Sequence, residues 1–161
     1  MSVATILAQA DIFDELSTTQ LELIASICSE NYYQMGDTIF EENTAGGEMY
    51  IIAEGEVAIQ VDPAIIGSDS SGPHTIATLR RGQSFGEVTL VDQGLRSAGA
   101  RCMKPNTHLI VIPREKLMML CDMYPQLGYK LMRNLAADLA MKIRHTDLQV
   151  REQLTWSQRD K

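Results

Sequence analysis

The stretch Phe85–Cys102, FGEVTLVDQGLRSAGARC, carries more chemistry than any other part of the chain. A Gly-Glu pair opens it at 86–87, and Arg-Ser-Ala follows at 96–98. A short helical turn offers unpaired backbone N–H groups to an anion. Arg96 adds a planar guanidinium fork that can grip the same anion. Glu87 is acceptor-only when ionised, so it suits a donor such as a sugar hydroxyl and not the anion itself. The segment reads as an anion site with a hydroxyl site beside it. The same two residues also admit a structural ion pair with each other, and nothing local decides between these readings.

Outward from this stretch, residues 31–113 read as β-structure. The strand-like runs are Thr38–Phe40, Met49–Ala53, Glu56–Val61, Thr75–Leu79, Ala98–Met103 and His108–Ile112. They are short, rich in Val, Ile and Thr, and punctuated by Gly36, Gly46, Gly47, Gly55 and Gly82, the pattern of a sandwich or barrel. The Gly-, Ser- and Pro-rich segment 62–74 reads as a long hairpin loop. Residues 3–30 read as helical: Leu16, Leu21, Leu23, Ile24 and Ile27 recur at helical spacing, and Ser17 or Thr18 can cap the second helix. Residues 114–155 return to helix, with Pro113 and Pro125 at the two starts. The series Met132, Leu135, Leu139, Ile143, Thr146, Val150 and Leu154 steps by three or four, a stripe longer than a small barrel can cover. Its far half calls for another partner, most simply the same helix of a second chain. Residues 156–161 carry no structural signal.

The chain has 161 residues, enough for one domain with its own core. A net charge of -7 argues against a general nucleic-acid surface, though not against one local anion site. Cys28, Cys102 and Cys121 lack metal-type spacing and sit in apolar runs, so they read as buried reduced thiols. The first residues, MSVATILAQADIF, lack the basic start of a signal peptide, and no apolar run approaches a membrane span. A cytoplasmic location is the expectation. A metal enzyme on a jelly roll needs clustered histidines with a carboxylate nearby, whereas His74, His108 and His145 are far apart. Ser97 has no histidine close in sequence to activate it. No enzyme activity is expected.

FGEVTLVDQGLRSAGA resembles the phosphate-binding cassette of cyclic-nucleotide-binding domains, the family of the bacterial catabolite activator, the regulatory subunits of cyclic-AMP-dependent kinase and cyclic-nucleotide-gated channels. A second stretch, QMGDTIFEENTAGGEMYIIAEGEVAI, is similar to the glycine-punctuated strand motif of the same family; Gly36, Asp37, Ile39, Phe40, Glu42, Gly46, Tyr50, Ile51, Ile52, Gly55 and Val57 fall on it. The resemblance covers about residues 5–150. It implies an α+β fold over 1–161, an eight-stranded jelly-roll-like antiparallel β-barrel flanked by N-terminal helices and a long C-terminal helix, with the cassette at 85–98.

It also implies roles. Arg96 pairs with the cyclic phosphate. Glu87 accepts the ribose 2′-hydroxyl, and Gly86 lets the backbone come close. Ser97 bonds the phosphate or a guanine. The backbone N–H groups of Val88, Thr89 and Ala98 complete the anion cradle. The long helix, around Arg133–Met141, covers the base. Leu95, Thr89, Asn43 and Gly99 depart from the family pattern, and Thr89 and Gly99 bear on the shape of the pocket. The implied function is a cyclic-nucleotide sensor, cyclic AMP ahead of cyclic GMP, that relays binding through its C-terminal helix. A homodimer through helix 125–154 and a separate effector protein are the implied partners, with no DNA-binding domain and no membrane. The alternative is a ligand-free domain of the same fold used for dimerisation or docking.

Overall fold

The computed structural model describes residues 1–62 and 72–160. Helix α1 (Val3–Ala8), a 3-10 turn (Asp11–Phe13) and α2 (Thr18–Ala25) come first. Ser17 caps α2 in a capping box: its hydroxyl accepts from the Gln20 N–H, and the Gln20 side chain accepts from the Ser17 N–H. The strands are β1 (Ser29–Tyr33), β2 (Thr38–Phe40), β3 (Glu48–Glu54), β4 (Glu56–Val61), β5 (His74–Arg80), β6 (Ser84–Phe85), β7 (Gly99–Cys102) and β8 (Thr107–Pro113). A second 3-10 turn (Glu87–Leu90) lies between β6 and β7, and α3 (Arg114–Met123) and α4 (Pro125–Arg159) follow β8.

The eight strands are antiparallel, as expected. Among the described residues they form two four-stranded sheets, ordered β1-β8-β3-β6 and β2-β7-β4-β5, and no closed barrel. The reason lies in the packing. Tyr50, Ile52, Leu109 and Val111 of the first sheet meet Val57, Leu79 and Ala100 of the second in one buried layer. The opposite face of the first sheet, through Met49, Ile51, Ile110 and Ile112, packs on Leu7, Phe13, Ile24, Leu117 and Leu131 of the helices. Strand β3 is thus buried on both faces from Met49 to Ala53, which is why it reads as an unbroken apolar run. Strand β5, with one side to solvent, is mostly exposed.

Two boundaries differ from the sequence reading. Ser29 and Glu30 belong to β1 and not to the N-terminal helices, because the Ile24 and Ala25 carbonyls close α2 and β8 supplies a pairing edge. Helix α4 runs through Trp156 to Arg159, since nothing in 156–159 breaks a helix. Most of the expected 62–74 loop lies outside the described residues. Among the described residues no helix is long and apolar enough to cross a membrane.

Candidate functional site

Arg96 is held from its backbone outward. Its N–H donates to the Thr44 carbonyl and its carbonyl accepts from the Asn43 N–H, both at 2.8 Å, beside a bridge between Ala45 and Leu95. Asn43 adopts the left-handed backbone this turn requires, at φ 63°. The side chain then runs inward and is 7% exposed. Its Nη2 donates to the Glu48 carbonyl at 2.8 Å and its Nη1 to the Gly86 carbonyl at 3.3 Å. The guanidinium lies 4.1 Å from the centre of the Phe40 ring.

Two glycines flank the guanidinium. A Cβ on Gly46 would stand 2.4 Å from Arg96 Nε, and one on Gly86 2.7 Å from Nη1. Gly86 also needs its φ of +74° to start the Glu87–Leu90 turn. Gly46 is therefore a packing residue of the site and more than a turn residue. Arg96 Nε is buried without a hydrogen-bond partner. Burial holds the guanidinium below its ordinary pKa, an effect that Tyr50, Glu48 and Glu87 nearby partly offset. A buried donor of this kind, still charged, favours an anion next to it.

Glu87 and Arg96 are not each other's partner. Glu87 is 4% exposed, and its Oε1 accepts from the ammonium of Lys142 on α4. Lys142 also donates to the Ser84 carbonyl at 3.3 Å and stands 3.0 Å from Asp138 Oδ2, an ion pair not aligned as a hydrogen bond. Burial pushes the Glu87 carboxyl above its ordinary pKa, and Lys142 partly offsets the rise. Burial alone would lower the Lys142 ammonium, but Glu87 and Asp138 outweigh it and hold that pKa up.

Of the remaining cassette residues, Thr89 gives its hydroxyl to the Gly46 carbonyl at 2.8 Å and its N–H to the Gly86 carbonyl at 3.3 Å. Its N–H is thus engaged in the turn. Val88 and Ser97 are exposed and Ala98 is half-buried. Arg114, at the head of α3, donates its Nε–H to the Thr89 carbonyl at 2.8 Å, which ties the cassette to the C-terminal helices. Arg133, at the start of the stretch expected to cover the base, pairs with Glu15. An open cleft of about 270 Å³ lies beside the second sheet among Thr38, Glu42, Gln60 and Arg101; Phe40 is the residue it shares with the surroundings of Arg96.

Lys142 and Asp138 were not singled out from sequence. The signal was available: Leu131, Leu135, Asp138 and Lys142 step by four, three and four, so two charges continue the buried face of α4.

The family model of the cyclic nucleotide-binding domain matches residues 30–124. The chain is 31% identical over 139 residues to the cyclic AMP receptor protein of Thermus thermophilus, covering 86% of this chain and 60% of that protein. It is 31% identical over 109 residues to human cGMP-dependent protein kinase 2, covering 68% of this chain and 14% of that protein. The chain therefore spans less than two thirds of either relative. The crystal structure of the Thermus thermophilus catabolite activator protein superposes with a TM-score of 0.73 at 30% identity, over 88% of this chain and 62% of that one. A cyclic nucleotide-binding domain from Methylobacillus flagellatus KT superposes with a TM-score of 0.75 at 24% identity, over 89% and 78%, a likeness of fold. With the matched family model spanning both the strand motif and the cassette, the chain belongs to the cyclic nucleotide-binding domain family.

Proposed function

We propose that this chain senses a cyclic nucleotide, cyclic AMP ahead of cyclic GMP, and passes the binding event to its C-terminal helix. The observation that carries the reading is Arg96: a buried guanidinium, flanked by Gly46 and Gly86, with an unpartnered Nε, in the same cassette as the buried carboxylate of Glu87. In this reading Arg96 takes the cyclic phosphate and Glu87 accepts the ribose hydroxyl. In the same reading Val88, Ala98 and Ser97 add donors, and Thr89 does so once its turn opens. The cyclic AMP receptor protein among the relatives supports cyclic AMP; the exposed Ser97 hydroxyl leaves a donor for guanine.

The relay runs through Lys142 and Arg114, the residues of α4 and α3 that bond cassette atoms. A homodimer through 125–154 is part of the same reading, supported by the apolar residues that α4 exposes beyond Lys142. So are a separate effector protein and a cytoplasmic location, the latter supported by three free cysteines. The ligand-free alternative is disfavoured because Gly86, Glu87 and Arg96 are all present.

Calorimetric titration with cyclic AMP and cyclic GMP tests the reading. Binding of neither below about 1 mM, some 4 kcal/mol at that limit, overturns it. Arg96→Ala should abolish binding while circular dichroism still reports a folded chain, and Arg96→Lys, which keeps the charge but loses the fork, should weaken it.

A further inference from the structure

Arg96 carries a charge that has to be accommodated before any anion arrives. Its Nη1 and Nη2 donate to the Gly86 and Glu48 carbonyls, which satisfy donors but bring no counter-charge. The guanidinium lies over the Phe40 ring, its carbon 4.1 Å from the ring centre. The face of an aromatic ring is negative and attracts a cation, most strongly where water is kept away. Arg96 is in such a place, with its side chain 6% exposed.

The ring is itself held in position from both sheets. Phe40 belongs to β2, Tyr50 to β3 and Phe85 to β6. The Phe40 centre lies 5.8 Å from that of Tyr50 and 5.9 Å from that of Phe85, both tilted, and Tyr50 and Phe85 stack on each other at 4.9 Å. These are the separations of favourable aromatic pairs. The Glu48 carboxylate offers Arg96 a second arrangement. Its Oε2 is 3.9 Å from Nη2, beyond hydrogen-bond reach, and the side chain is half-exposed. A carboxylate bonded to a guanidinium occupies its N–H edge. A ring occupies the flat face and leaves the edge, including the unpartnered Nε, open to an incoming anion.

We propose that Phe40 is a positioning residue of the anion site: its ring holds the Arg96 guanidinium off the Glu48 carboxylate, with Nε ready for a phosphate. The proposal rests on the reading of Arg96 as the phosphate-binding residue. Phe40 acts through Arg96 and not by touching the nucleotide. With the attraction of the ring removed, the guanidinium turns to Glu48, and a phosphate binds only the fraction of molecules in which it has not turned.

The test keeps the shape of the ring and changes its charge. Fluorine draws electron density from an aromatic face, so Phe40→monofluorophenylalanine, Phe40→trifluorophenylalanine and Phe40→pentafluorophenylalanine weaken and then reverse the attraction at nearly constant size. Circular dichroism checks that each chain is folded. Calorimetric titration uses whichever of cyclic AMP and cyclic GMP the wild-type chain binds. The Kd should rise stepwise along the series, to about tenfold for the pentafluoro ring. Adding Glu48→Gln to the pentafluoro chain should recover most of that loss, since the competing carboxylate is gone and the Glu48 carbonyl remains. A ring that only fills space would give a flat series. A flat series, a tightening one, or a loss that Glu48→Gln does not recover overturns the proposal. Failure of the wild-type chain to bind either nucleotide overturns the nucleotide reading itself.

Discussion

The two halves of α4 share one periodic apolar stripe and have opposite environments. Up to Lys142, Leu127, Leu131 and Leu135 are buried, Met132 and Leu139 pack against them, and Asn134 donates to the Ile12 and Asp14 carbonyls at 3.1 and 2.8 Å. Beyond it, Ile143 is 62% exposed, Val150 47% and Leu154 59%. The side-chain hydrogen bonds found there, such as Thr146 to the Lys142 carbonyl, stay within the helix. Spacing made the whole stripe helical, but it buries only the part that the sheet and the N-terminal helices can reach. A periodic pattern specifies a face; the body of the protein decides how much of it finds a partner.

The sharpest way to break this contrast is a matched pair of truncations. Leu131→Ala should cost about 2–5 kcal/mol of stability, the range for a buried leucine, and Leu154→Ala no more than about 0.5 kcal/mol. Urea unfolding at low micromolar concentration measures both. Equal losses would mean that the outer half is covered after all, and a Leu154→Ala cost that grows with protein concentration would identify the cover as a second copy. Next in size, Asn134→Ala should cost about 1–2 kcal/mol, because it withdraws a donor from two carbonyls. An unchanged unfolding midpoint would show that water replaces it without loss.

The smallest effect concerns the boundary itself. The folded Lys142 pKa lies above its ordinary 10.5, so its stabilisation is fully present below that pH and is lost as the pH climbs through the raised value. Trp156, the sole tryptophan, reports on the outer half by fluorescence anisotropy. Anisotropy should fall above pH 10.5 in the wild-type chain and start lower, with less change, in Lys142→Met. Parallel curves for the two would dissociate Lys142 from the restraint on α4.

Legibility in the sequence followed the range of each interaction. Strands β3 and β4 stood out because the first is buried on both faces and the second opens on a glycine turn, and both leave local patterns. The capping box at Ser17 and Gln20 is a four-residue signal and was readable as such. Strand β1 was half missed: Ser-Glu-Asn-Tyr-Tyr is mostly exposed, and pairing with β8 alone makes it a strand. Strand β6, two residues long, has no period to detect. At the candidate site, Gly86, Glu87 and Arg96 stood out in the sequence because few residue types suit an anion and a hydroxyl, and the structure buries Glu87 and Arg96. Their partners did not stand out. Glu87 finds Lys142 and Arg96 finds the Glu48 carbonyl across 55 and 48 positions, distances over which composition and spacing carry no information.

Helix α4 is 35 residues long, and the 17 residues from 143 to 159 extend it by about 25 Å past its last bond to the cassette. A rigid rod of that length works as a lever. A tilt of roughly 10° at Lys142 would sweep its tip through about 4 Å, more than the separation of a bonded ammonium and carboxylate. A small shift at the cassette would then arrive at the far end as a displacement large enough to unseat a side chain packed against it.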